Sequence, residues 1–124
     1  MRRLCNDNSG ATAIEFAMTA PLFMLLLFGI IQVSLALWTQ LGIAHGAAFA
    51  ARCASLTPST CSSSDTIQTY ALSESFGLSI PKSTFTVSTP ACGNQVSASY
   101  VYSFMTLAFG TPSVTLTAQS CYPK

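Results

Sequence analysis

Glu15 is the only charged side chain between Asp7 and Arg52, and it stands directly before a long apolar run. A carboxylate at the edge of a bilayer is costly unless it is paired or partly solvated, so its position calls for a partner or for water at the headgroup level. The cysteines are the second group with chemistry to offer. Cys53, Cys61, Cys92 and Cys121 follow that run, while Cys5 lies alone before it. A zinc site would need paired C-x-x-C knuckles, which this spacing lacks, so the later set is expected to form disulfides. It can pair in more than one way. The hypothesis from loop length and strand geometry is Cys53 with Cys61 and Cys92 with Cys121, the latter opposed by a hairpin turning near residue 106 or 107. His45 is the sole histidine. That rules out a His-based triad or a multi-histidine metal site. With carboxylates scattered along the chain, neither an enzyme nor a cofactor or metal site is expected.

The elements that must position these residues differ in composition. From Ala17 to Leu37 no side chain is charged, and Leu22, Phe23, Leu25, Leu26, Leu27, Phe28, Ile30, Ile31, Val33, Leu35 and Leu37 dominate. Together these favour a bilayer by roughly 3 to 7 kcal/mol, against polar offsets from Thr19, Pro21, Gln32 and Ser34. A soluble core helix would show a polar stripe at period 3.6, and none is present. The run is therefore read as a membrane span. Ala48, Phe49 and Ala50 spell an A-x-A site, but well beyond the run, which disfavours a cleaved secretory signal. Arg2 and Arg3 place the short N-terminal side in the cytoplasm, which puts the later cysteines in an oxidising compartment. Trp38 is an interfacial anchor, and the Ala-rich stretch from Ile43 to Ala54 extends the helix beyond the membrane. From 11 to 54 such a helix measures on the order of 65 Å, about twice the hydrocarbon thickness, with a bend expected near Thr19 to Pro21.

Pro58 and the run Ser59 to Ser64 end that helix. Asp65 with Gln68 has the form of a capping box, Ile67, Tyr70, Ala71 and Leu78 give one apolar side, and Gly77 can close a short second helix. Beyond Pro81 the apolar residues alternate: Phe85 and Val87; Val96, Ala98, Tyr100, Tyr102 and Phe104; Val114, Leu116 and Ala118. This predicts three strands, the last two joined by a turn over 106 to 112 and paired antiparallel, with one face on a helix. The fold class is α+β. The expected organisation is a cytoplasmic leader over 1–10, a membrane-spanning and extended helix over 11–54, and a small extracytoplasmic domain over 55–124. A core of that size commonly relies on disulfides. The net charge of +1 gives no phosphate-neutralising stripe, so nucleic acid is not an expected partner. Gly42 and Gly46 form G-x-x-x-G, a weak sign of helix packing.

The stretch Gly10, Ala11, Thr12, Ala13, Ile14, Glu15, Phe16 lies between the arginine-bearing leader and the apolar helix. It resembles a prepilin processing site of the Flp variant, in which cleavage follows a glycine and the glutamate is the fifth mature residue, followed by an aromatic. With the Pro21 to Gly29 region and the helix extension through Arg52, the first part of the chain resembles the TadE-like family of the tight-adherence (Tad/Flp, type IVc) pilus system. The resemblance implies a pseudopilin or minor pilin anchored in the bacterial inner membrane, cut by a prepilin peptidase between Gly10 and Ala11. It further implies other pilin-type subunits and the Tad secretion platform as partners. A new amine at Ala11 would lie about one helical turn from Glu15 and could pair with it, in the same chain or a neighbour. The alternative is an uncleaved bitopic periplasmic interaction module of an envelope complex.

Overall fold

A computed structural model of the chain describes residues 9–105 and 110–124. Arg2, Arg3, Cys5 and most of the expected leader lie outside the described residues, as do positions 106–109 of the expected turn. The element order is α1 (Ser9–Leu56), α2 (Ser64–Ser73), a short 3-10 turn (Lys82–Thr84), β1 (Phe85–Ser88), β2 (Asn94–Ser103) and β3 (Ser113–Tyr122). This is the α+β class expected from the sequence. The chain divides into two compact units, Met1–Ser34 and Leu35–Lys124.

In the first unit the described residues are all helix, and nearly every side chain is exposed. Phe16, Met18 and Leu22 are each more than 70% exposed. An apolar surface on all sides of a helix is tolerable in lipid or against other helices, and not in water. One helix among the described residues is long and apolar enough to cross a membrane. Its hydroxyls are satisfied internally. Thr19 Oγ1 donates to the Glu15 carbonyl at 3.0 Å, and Ser34 Oγ to the Ile30 carbonyl at 2.8 Å. The helical assignment passes through Pro21 without interruption. Pro21 cannot donate a backbone hydrogen bond, and Thr19 turns its hydroxyl onto the preceding turn.

In the second unit the later part of α1 has a buried face. Ala36, Thr39, Ile43, Ala47, Ala50 and Cys53 recur every three or four residues and are buried. Ile43, Ala47, Ala50 and Cys53 join Ile67 and Ala71 of α2 with Phe85, Val96 and Ala98 of the sheet in one core. Phe85 is its largest fully buried side chain. Gly42 and Gly46 find their use here, within the chain. A Cβ on Gly42 would come 2.5 Å from Leu78 Cδ1, and one on Gly46 would strike Ser75 Oγ and the Ala71 carbonyl. Only glycine lets α1 approach the end of α2 so closely.

The α2 cap differs from expectation. Ser63, not Asp65, is the N-cap: its hydroxyl accepts from the Thr66 amide at 3.3 Å, and the Thr66 hydroxyl accepts from the Ser63 amide at 3.0 Å. The serine run supplies a cap before the acidic residue is reached. Asp65 instead sits in the first turn, paired with Lys82 at 3.1 Å, and Gln68 donates to the Phe85 carbonyl at 2.7 Å.

The sheet is an antiparallel meander in the order β1-β2-β3. Phe85 faces Ala98 across β1 and β2, and Ala98 faces Ala118 across β2 and β3. The alternating apolar residues thus share the face that packs on the helices. The hairpin register is displaced from expectation, because Gln95, not Cys92, stands opposite Cys121. The register follows from the connection between β2 and β3, at whose ends Ser103 and Ser113 face each other, and a separate turn takes Cys92 off the ladder. The Gly93 amide donates to the Pro90 carbonyl at 3.0 Å, and Gly93 has φ of 126°, where a side chain would collide with the Tyr122 carbonyl. Cys92 therefore lies off the ladder, which starts at Asn94.

Candidate functional site

The residues of the expected processing site open α1. The helix starts at Ser9, so Gly10 and Ala11 lie in its first turn, and Glu15 follows one turn after Ala11 on the same side. Gly10, Ala11, Glu15 and Phe16 are all exposed. Gly10 differs from Gly42 and Gly46 in an informative way. It does not have a positive φ, and a Cβ there would meet nothing within 4 Å. Neither conformation nor packing within the chain calls for a glycine at this position. Among the described residues Glu15 takes part in no ion pair. Phe16, Thr19, Ala20, Phe23 and Met24 line an open, almost wholly apolar groove of about 380 Å³ along the helix. A first helical turn lacks partners for its amides and frays readily, so the Gly10 to Ala11 bond can be presented in extended form at little cost.

Further along the same helix, the Gln32 amide has no hydrogen-bond partner among the described residues. A primary amide in an apolar span is the kind of group that bonds across to another helix.

The structure joins Cys53 to Cys61 with Cα atoms 5.9 Å apart, and Cys92 to Cys121 at 6.3 Å. The first bridge ties the end of α1 to the loop before α2. The second ties the Pro90 to Gly93 turn diagonally onto β3. Polar side chains fasten α1 to the sheet as well: Gln40 donates to the Thr117 carbonyl at 2.8 Å, and Asn94 Nδ2 donates to the Ala54 carbonyl at 3.2 Å.

His45 has a structural place. Its Nδ1 lies 2.8 Å from the Glu74 carbonyl, which can only accept, so that nitrogen carries the proton. Its ring sits between Phe49 and Phe76, with centroids at 4.3 and 4.6 Å. Sequence reasoning missed this aromatic group. His45 and Phe49 lie one turn apart on α1, but Phe76 reaches them only through the turn that follows α2, which no local pattern reveals. Among the described residues no three of His, Cys, Asp and Glu come together as metal ligands.

An apolar helix headed by an exposed Gly-Ala and Glu-Phe segment continues into a disulfide-bonded α+β unit. Residues 10–52 match the family model described as TadE-like protein. The match covers about a third of the chain, all of it within α1. No curated protein and no solved structure matches the chain.

Proposed function

We propose that this protein is a minor pilin or pseudopilin acting in the assembly of Tad/Flp-type pili, and that a prepilin peptidase processes it between Gly10 and Ala11. The observation that carries the reading is the Gly10 to Phe16 segment, exposed at the head of the apolar helix within the TadE-like match. Gly10 has no packing reason to be glycine, which leaves the demand to a protein that handles the segment from outside. The protein acts as a structural subunit and not as an enzyme.

In this reading the leader faces the cytoplasm, α1 crosses the inner membrane once, and the unit holding both disulfides folds in the periplasm. Cleavage frees the Ala11 amine. Glu15, one turn away, pairs with that amine in its own chain or in a neighbour and sets the register of packed helices. Its partners are other pilin-type subunits, the peptidase and the Tad secretion platform. Phe16, Phe23 and Met24 supply apolar surface for such packing, and Gln32 supplies a hydrogen-bonding group.

The test is the intact mass of the protein from native membranes of strains with and without the peptidase. The expected result is loss of residues 1–10 only where the peptidase is present. A retained leader in both strains would overturn the processing reading in favour of an uncleaved bitopic module.

A further inference from the structure

Aromatic rings gather at one corner of the Leu35–Lys124 unit. Trp38 and Phe76 have ring centroids 5.6 Å apart, and His45 packs on both Phe76 and Phe49. The rings come from α1 and from the turn after α2. The hydrogen bond from His45 to the Glu74 carbonyl fixes that turn against α1. The rings nevertheless remain open to the surroundings: Trp38 is 51% exposed, Phe76 43% and Phe49 39%.

Phe76 is disfavoured twice over. It has φ of 54° and is the only described non-glycine residue with a positive φ, ahead of Gly77 at 72°. Asparagine or glycine would hold this left-handed turn with less strain and without showing a ring to water. A strained backbone holding an exposed aromatic side chain points to something that covers the ring.

Trp38 indicates what covers it. It directly follows the apolar run that ends at Leu37, and an indole at that point settles at the boundary between hydrocarbon and headgroups. Phe76 packs on Trp38, so the fold carries a second ring to the place where the helix leaves the apolar run. We propose that this corner is a lipid-contacting foot, in which Phe76, backed by His45, enters the headgroup layer of the same phospholipid bilayer beside Trp38. The proposal rests on the reading of α1 as a membrane span.

The chain contains a single tryptophan, which makes the test direct. The full chain is reconstituted into phosphatidylethanolamine and phosphatidylglycerol vesicles whose acyl chains carry bromine either near the headgroup or near the chain end. The unaltered protein reports on Trp38, and the Trp38→Phe/Phe76→Trp variant moves the fluorophore to position 76. The expected result is that both tryptophans are quenched more by shallow than by deep bromine, to a similar degree, and that both are shielded from acrylamide. Quenching of Trp38 alone, with position 76 open to acrylamide, overturns the foot and leaves the span intact. Shielding of position 76 from acrylamide without bromine quenching also overturns it, by assigning the ring to a protein partner. Absence of bromine quenching at both positions would sink the span itself. Should the variant lose its disulfide-linked fold, the unaltered chain is photolysed with a phospholipid bearing a diazirine next to its headgroup. Cross-links on the peptide containing Phe76 support the foot, and cross-links confined to peptides of α1 overturn it.

Discussion

Glu15 and Gly10 act at the level of single side chains, and neither is used by the packing of its own chain. Glu15→Ala should leave membrane insertion, disulfide content and protease resistance of the Leu35–Lys124 unit unchanged, while, on the proposed function, weakening co-purification with partner pilins and lowering pilus counts. The magnitude depends on burial in the assembly. One-sided loss of a buried carboxylate and amine pair costs several kcal/mol, whereas a solvated pair contributes about 0 to 1 kcal/mol. Normal association and normal pilus counts would reduce Glu15 to a headgroup-level residue. Gly10→Val should block processing, because prepilin-type sites by resemblance tolerate little bulk there. Since a side chain at position 10 meets open space, the same variant should fold normally. Intact mass read beside a thermal melt separates the two effects, and normal maturation would reject the processing site.

Gly46 shows the opposite case, and its consequence belongs to the contact between α1 and α2. Alanine in a helix interior is usually preferred to glycine by roughly 0.5–1 kcal/mol. At position 46 the added methyl would meet the Ala71 carbonyl and the Ser75 hydroxyl, which itself bonds the Ala71 carbonyl at 2.6 Å. Backbone cannot yield as a flexible side chain does, so overpacking of about 1–3 kcal/mol outweighs the propensity gain. Gly46→Ala should therefore lower the urea midpoint of the Leu35–Lys124 unit, followed by near-UV circular dichroism in detergent. Gly29→Ala, where the space is open, should not. Equal behaviour of the two variants would mean that the close approach of α1 to α2 is wrong.

The disulfides also act between elements, and their loop lengths rank them. Cys53–Cys61 closes a sequence separation of 8, and Cys92–Cys121 one of 29. In the chain-entropy account these correspond to about 2.5 and about 3.6 kcal/mol. Removing Cys92 and Cys121 together as alanines should therefore destabilise the Leu35–Lys124 unit more than removing Cys53 and Cys61, in denaturant titrations under non-reducing conditions. The reverse order would show that the bridge at the end of α1 stabilises chiefly by holding the helix to α2.

For the whole molecule, composition and period settled a great deal. The long apolar helix is visible in the sequence because a charge-free apolar run of that length needs no tertiary partner to be recognised. The strands from Phe85 to Ala118 are equally visible, since period-two alternation is a local property that survives folding. The Gly10 to Phe16 segment could be picked out because its meaning lies in residue order. What depended on distance between remote residues could not be read in this way. The hairpin register followed from where Ser103 and Ser113 come to face each other, and a shift of a few residues is invisible to an alternating pattern. Ser63 took the cap from Asp65 because a serine run offers several caps, among which only packing chooses. Gly42 and Gly46 looked like a generic helix-contact motif until α2 was seen lying against them. Trp38, His45, Phe49 and Phe76 form one corner only after α2 folds back on α1. Local pattern depends on the chain's own neighbours, whereas register, close approach and clustering depend on which distant surfaces exclude water together, and tertiary structure alone decides that.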